Sequence, residues 1–298
     1  MKTKSKIEES FIIAEKILQK IRLKTLRKVE NPLQGSYLSF FQGHGLDYKE
    51  IREYSINDDI KNIDWNVTAR TGKPHVRIYE EERNNTVWLI LDVSSSMDFG
   101  SALISKKDIL VKIIALIGYI ADKRRDKTGA ILFDDKIKEI IPPEKGLKQI
   151  YKIVKKLLEY KPEENNSYET DFSSLENIIG RKNFIFFISD FIFPNLSRKN
   201  NFGELVIKND FQAIQILDPV EETLPSVGYI NLYDPETGKN LIFDSSNPAV
   251  TAKYQELLNE ENEKLNEIFS LLKLKPVKIY TNSDIAEVLI NYMNKSRR

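Results

Sequence analysis

The sequence contains no cysteine. That absence removes disulfides, thiol nucleophiles and thiolate-bound metals together, and it fits a reducing cytosol, so a cytoplasmic location is expected. Histidine is scarce as well: His44 and His75 are the two in the sequence, both in its first 75 residues. A histidine-rich zinc centre is therefore not expected, and both residues read as surface or hydrogen-bonded structural groups. Charge of one sign is also lacking. Lysine and arginine total 45 against 44 acidic residues, a formal net charge of +1, so no global field draws the chain to nucleic acid or to an acidic membrane. Runs such as Glu80-Glu81-Glu82-Arg83 and Asp122-Lys123-Arg124-Arg125-Asp126 mix the signs and read as solvated faces. No apolar run approaches the roughly 20 residues that span a bilayer. The longest, residues 109–120, is interrupted by Lys112 and reads as a buried helix. Residues 1–9 are charged and do not resemble a signal peptide. Neither a direct membrane span nor a nucleic-acid partner is expected.

What is present is ordinary globular material: 298 residues, 41% hydrophobic and 30% charged, enough to build a sizeable core. Ile7, Phe11, Ala14, Leu18 and Ile21 recur at helical spacing and predict an amphipathic helix ending before Asn31-Pro32. Residues 35–83 are rich in glycine, aromatics and charge and predict short strands and turns. From residue 86 onward apolar strands alternate with helices. TVWLIL (86–91), GAILF (129–133) and FIFFIS (184–189) are strands without polar alternation. Helices are expected over 104–123, 147–158, 248–272 and 284–293, with further strands at 211–217 and 277–280. Ser173-Ser174-Leu175-Glu176 fits a capping box. Residues 229–233 and 241–243 flank the turn signal Asp234-Pro235-Glu236-Thr237-Gly238 and predict a β-hairpin insertion. Fully apolar strands alternating with helices imply an α/β fold, a doubly wound and mostly parallel sheet covered on both faces.

In such a sheet, ligands sit at the carboxyl ends of the strands. Asp92-Val93-Ser94-Ser95-Ser96 follows TVWLIL, Thr170-Asp171 follows the polar loop near Asn166, and Asp190 follows FIFFIS. Small oxygen donors thus gather at one edge. Asp92, Ser94 and Ser96 are spaced so that one tight loop can turn three side chains toward one ion. Hard cations take oxygen ligands, and magnesium keeps several positions for water. Two carboxylates roughly neutralise a divalent charge, while hydroxyls donate without adding negative charge. Magnesium or manganese is therefore the expected cofactor, able to attract a carboxylate from outside.

The arrangement resembles the metal-ion-dependent adhesion site (MIDAS) of von Willebrand factor A-type (vWA) domains. There a first strand ends in Asp-x-Ser-x-Ser, here Asp92, Ser94 and Ser96; a threonine comes from a second loop, here Thr170, and an aspartate from a third, here Asp190. The resemblance implies a vWA-like, Rossmann-type sheet and a metal set of Asp92, Ser94, Ser96, Thr170 and Asp190. Alone, each segment reads more blandly, as a turn or a helix cap. A wider resemblance covers nearly the whole chain. Gly43-His44-Gly45-Leu46-Asp47-Tyr48, Arg52-Glu53-Tyr54, Asp58-Asp59, Ile63-Asp64-Trp65, Thr68-Ala69-Arg70 and Glu82 precede the first strand. Asp218-Pro219 with Glu221, Leu224-Pro225 and the 234–238 turn follow later. In this order they resemble the DUF58 family. Asn57 stands where that family usually has glycine before the paired aspartates, and asparagine tolerates the same left-handed turn. The resemblance implies association with a MoxR-type AAA+ ATPase.

Together these readings predict a metal-dependent protein-interaction module, an adaptor or co-chaperone rather than an enzyme, whose metal accepts a carboxylate from the ATPase or a client. The alternative is a metal-dependent phosphatase or nuclease using Asp92 and Asp190. It is weakened by Ser94, which stands where a haloacid dehalogenase-type phosphatase needs its second carboxylate. No Walker A motif occurs, no histidine lies in the later half for a nucleophile elbow, and Gly43-His44-Gly45 lacks the third glycine of a dinucleotide site.

Residues 1–83 are expected to pack on the vWA-like domain of residues 84–298 rather than fold alone. Their aromatics, Tyr37, Phe40, Phe41, Tyr48, Tyr54 and Trp65, need an apolar partner, and Asp64 with Arg70 is a candidate ion pair at the junction. Expressed alone, residues 1–83 should show no cooperative melt by circular dichroism; a sharp two-state transition would make them a separate module.

Overall fold

Two short antiparallel strands, Glu50–Glu53 (β1) and His75–Ile78 (β2), open the described structure, with the helix Trp65–Thr71 (α1) between them. The computed structural model describes residues 50–55, 63–78, 85–101, 104–134, 136–162, 172–192, 203–233 and 240–295. The expected helix over residues 7–21, most of the other residues before 84, and Thr170 lie outside these. Helix α1 shows why Asp64 and Gly72 stand where they do. The buried Asp64 carboxylate accepts from the amides of Asn66 and Val67 at 3.1 and 3.4 Å, the duty of a helix N-cap. Gly72 supplies the left-handed turn at the other end, with φ of +72°. The anticipated pairing of Asp64 with Arg70 is thus replaced by a cap, and Arg70 is exposed in the last turn. Trp65, expected to be buried, is 68% exposed. His75 is a structural residue: its Nδ1 lies 2.8 Å from the Lys73 carbonyl and 3.1 Å from Thr71 Oγ1.

The chain then builds one large sheet. Its elements are Thr86–Asp92 (β3), Lys106–Lys123 (α2), Lys127–Phe133 (β4), Ile137–Glu144 (β5), Leu147–Glu159 (α3), Ser173–Ile179 (α4), Phe184–Ser189 (β6), Gly203–Lys208 (α5) and Asp210–Leu217 (β7). Then come Pro219–Glu222 (α6), Tyr229–Tyr233 (β8), Asn240–Asp244 (β9), Pro248–Leu271 (α7), Val277–Tyr280 (β10) and Ile285–Lys295 (α8). The sheet has six strands in the order β10-β7-β6-β3-β4-β5, all parallel except β5, which runs antiparallel to β4. Strands β8 and β9 form a separate antiparallel pair.

Alternation along the strands divides the core in two. Val87, Leu89, Leu91, Phe186, Ile188, Ile214 and Ile216 face α2, α3 and α8. Trp88, Ile90, Ile131, Ile185 and Phe187 face α4, α5 and α7. Because both faces of β3 and β6 are covered, residues 87–91 and 184–188 are apolar without a break. The second face is aromatic. Phe133 stacks on Phe172 at 4.8 Å between ring centroids, and Phe187 touches both edge-on. Helix α4 does not begin with the anticipated capping box. Phe172 occupies the cap position, and Glu176 is paired with Lys208 of α5 instead. Burial of Phe172 under the sheet decides where this helix starts.

Helices α2 and α3 approach closely at Gly118, where a Cβ would lie 2.4 Å from Ile150 Cδ1. Gly118→Val should therefore overpack the core and destabilise the fold by about 2–3 kcal/mol. Urea unfolding of Gly118→Val, Ile150→Ala and the double variant checks this: the double variant should lose less stability than the two single losses combined.

Candidate functional site

Strands β3 and β6 are neighbours whose following segments run opposite ways, from β3 toward β4 and from β6 toward β7. Their carboxyl ends therefore open a crevice, the place where open α/β sheets bind ligands. Asp92 is the last residue of β3, and Ser94 caps a short 3-10 turn, Ser95–Asp98. Ser189 is the last residue of β6, and Asp190 follows it. Asp92 and Asp190 are each 1% exposed.

A hydrogen-bonded chain joins the two strand ends. Ser94 Oγ lies 2.9 Å from Ser96 Oγ, and Ser96 Oγ donates to Asp190 Oδ2 at 2.7 Å. Asp92 stands beside it, accepting from the Ser94 amide at 2.9 Å and from Ser189 Oγ at 2.5 Å. The loop after β6 is bent to serve this geometry. Phe191 has a positive φ of 61°, a conformation that costs a bulky residue about 1–3 kcal/mol. Its ring is held between Phe187 and Phe269, at 5.1 and 5.2 Å. The bend brings the Phe191 amide to Ser189 Oγ at 2.7 Å and the Ile192 amide to Asp190 Oδ1 at 3.1 Å.

The structure thus brings Asp92, Ser94, Ser96 and Asp190 together, while Thr170 falls outside the described residues. Among the described residues no three histidine or acidic side chains form a metal cluster. The donors here are two carboxylates and two hydroxyls. Their spacing suits a small hard cation: adjacent oxygens around an octahedral ion with bonds of about 2.1 Å lie about 3.0 Å apart. The Ser94–Ser96 and Ser96–Asp190 separations, 2.9 and 2.7 Å, are ordinary hydrogen-bond lengths that also lie near that edge length, so an ion could replace the hydrogens without moving the oxygens far. Burial, with Asp190 nearby, pushes the Asp92 carboxyl up to about 7. Taking the Asp92 carboxylate out of water beside a second negative charge is unfavourable, so Asp92 tends to hold a proton.

One member of the site escaped the sequence reading. Lys106, the first residue of α2, is 0% exposed, and its Nζ lies 2.7 Å from both Asp190 Oδ2 and Glu221 Oε1. Burial alone would lower its pKa, but the two carboxylates outweigh burial and hold it above the usual lysine value. A signal did exist: a cation in the first turn of a helix opposes the helix dipole and needs an anionic partner. The partner is fixed in turn. Asp218 and Glu221 form a capping box on α6, in which the Asp218 amide donates to Glu221 Oε2 at 2.9 Å. Burial pushes Asp218 up, yet hydrogen bonds from the Ser101 and Val220 amides and Thr281 Oγ1 prevail and hold it below the usual carboxylate value. One polar row therefore runs along the carboxyl ends of β3, β6, β7 and β10.

Residues 50–264 match the family described as "Protein of unknown function DUF58". The chain is 29% identical over 225 residues to an uncharacterized protein of Mycobacterium tuberculosis, Rv1480, covering 74% of this chain and 70% of the relative. An uncharacterized protein of Mycobacterium bovis, Mb1516, matches over the same shares at the same identity. Among solved structures, the conserved hypothetical protein BatB of Bacteroides thetaiotaomicron aligns at 18% identity with a TM-score of 0.42, over 71% of this chain and 98% of its own. No described helix is long and apolar enough to cross a membrane.

Asp218 ties three segments together from a position with 0% exposure. Asp218→Ala should lower stability by about 3 kcal/mol, since it removes charge-assisted hydrogen bonds to Ser101, Val220 and Thr281. Thermal melts read by calorimetry check this; an unchanged midpoint would mean that solvent or neighbouring groups take over all three contacts.

Proposed function

The chain belongs to the DUF58 family, and from that premise and its strand-end site we propose that it is a divalent-metal-dependent protein-interaction module of vWA type. The reading rests on one observation, the chain Ser94–Ser96–Asp190 beside Asp92 at the diverging ends of β3 and β6. In this reading the site is a MIDAS. Asp92, Ser94, Ser96 and Asp190 would hold magnesium or manganese, and Thr170 joins the set on the resemblance alone. When bound, such an ion supplies an electrostatic anchor for a carboxylate from another protein. The residues supply its position: Ser189 fixes the Asp92 carboxylate, and the strained turn at Phe191 fixes Asp190.

The partner in this reading is a MoxR-type AAA+ ATPase or its client, with the chain as adaptor or co-chaperone in the cytoplasm. Support for the ATPase comes from the DUF58 resemblance, and support for the mode of contact comes from the site chemistry. A hydrolase of the haloacid dehalogenase type needs a proton-transferring carboxylate two residues after Asp92. That position is Ser94, whose amide serves as a donor to Asp92.

Calorimetric titration with magnesium or manganese should show one ion per chain, and Asp92→Ala should abolish that heat while circular dichroism stays native. Unchanged binding in the variant would remove Asp92 from the site. Capture of the ATPase on immobilised protein should likewise be lost with EDTA or with Asp190→Ala; capture indifferent to both would move the interface elsewhere.

A further inference from the structure

Lys106 has no place in a metal set of Asp92, Ser94, Ser96, Thr170 and Asp190, yet it is fully buried against one of them. We propose that Lys106 is an internal counter-cation that competes with the divalent ion for Asp190 and keeps the loaded site receptive to an external carboxylate. The inference rests on the metal reading of the site and adds to it what sets the affinity of each ligand.

The competition follows from which oxygen is shared. Asp190 Oδ2 already accepts from both Ser96 Oγ and Lys106 Nζ, each at 2.7 Å, and Oδ1 accepts from the Ile192 amide. An ion that takes Asp190 through Oδ2, the oxygen beside Ser96 Oγ, must share it with the ammonium or push the ammonium back onto Glu221. Two cations sharing one oxygen, in a crevice where solvent screens them poorly, repel strongly. Retreat is limited. Glu221 cannot follow freely, because its Oε2 is fixed by the Asp218 amide. Lys106 is itself held, with its amide on the Phe99 carbonyl at 2.9 Å and its Nζ 5.8 Å from the centroid of the Phe99 ring. Metal binding is therefore weaker than the oxygen donors alone would give.

The gain lies in charge. A bound metal keeps its carboxylates deprotonated. The charge of Asp218 is met separately by the Ser101 and Val220 amides and Thr281 Oγ1; Asp92, Asp190 and Glu221 are balanced in part by Lys106, leaving two negative charges that a divalent ion cancels. Without the ammonium, the loaded crevice would stay net negative and repel an incoming carboxylate. Lys106 thus trades metal affinity for carboxylate capture.

Manganese serves as both ligand and probe. Its affinity is read by calorimetry, and acetate approaching the bound ion is read from paramagnetic relaxation of the acetate methyl protons. In Lys106→Met, manganese should bind more tightly, on the order of tenfold, and acetate relaxation should fall. In Lys106→Met/Glu221→Gln, which restores the natural charge balance without the ammonium, manganese should stay tight and acetate relaxation should return. The double variant also leaves fewer unpaired buried charges, so it carries the test if the single variant does not fold. Equal or weaker manganese binding in the folded variants would overturn the inference while leaving the metal site standing. Undiminished acetate relaxation in Lys106→Met, or relaxation that the double variant fails to regain, would overturn the charge argument. Manganese binding only in the variants would support the competition and remove the metal reading of the natural chain. Binding in none of them would overturn both.

Discussion

Everything at the carboxyl edge depends on the parallel pairing of β3 with β6. The last paired residues, Leu91 and Ile188, fix the register, so Asp92 and Ser189 emerge side by side and their side chains meet at 2.5 Å. A shift of one residue would turn every side chain of a strand to the opposite face, exchanging two apolar surfaces of different shape. The aromatic face admits Trp88 and Phe187, and the other face is filled by Leu89, Leu91 and Phe186. Packing on both sides of the sheet is therefore what aligns Asp92 with Ser189, and through it sets the distance to Asp190.

The second constraint is electrostatic. Asp92, Asp190 and Asp218 are almost wholly buried, and each meets hydrogen-bond donors rather than apolar surface. Buried charge survives only where it is paired and hydrogen-bonded. Lys106 and the capping box of α6 meet that demand for Asp190 and Glu221, and backbone amides with Thr281 meet it for Asp218. The same row links the diverging strands β3 and β6 to β7 and β10, so the crevice is braced on the side where the sheet would otherwise end in loose loops.

Much of this was legible in the sequence, and the reasons differ by element. Unbroken apolar runs at 86–91, 129–133 and 184–189 can be satisfied only inside a doubly covered sheet, so the mixed α/β architecture and its mostly parallel order follow from them. Asp92 and Asp190 stood out because a polar residue directly after such a run marks a carboxyl end. Lys106 did not stand out, since its one signal, a cation in the first turn of a helix, is shared by Lys107, and only the neighbours in space tell the two apart. Trp65 failed in the other direction: an aromatic in a short polar helix carries no information about which face is covered, and it is exposed. Asp64 was legible as important, but as an ion-pair member rather than as a helix cap. The start of α4 was misread because Phe172, bound to the aromatic face, overrides the local capping preference of the serines.

The central claim is that a hard divalent cation sits among Ser94, Ser96 and Asp190. Crystals grown with manganese, with anomalous diffraction recorded at its absorption edge, test it most directly. We expect one strong anomalous peak at bonding distance from Ser94 Oγ, Ser96 Oγ and an Asp190 carboxylate oxygen. A structure with Lys106 still bridging Asp190 and Glu221, and no anomalous density in the crevice at saturating manganese, would contradict it.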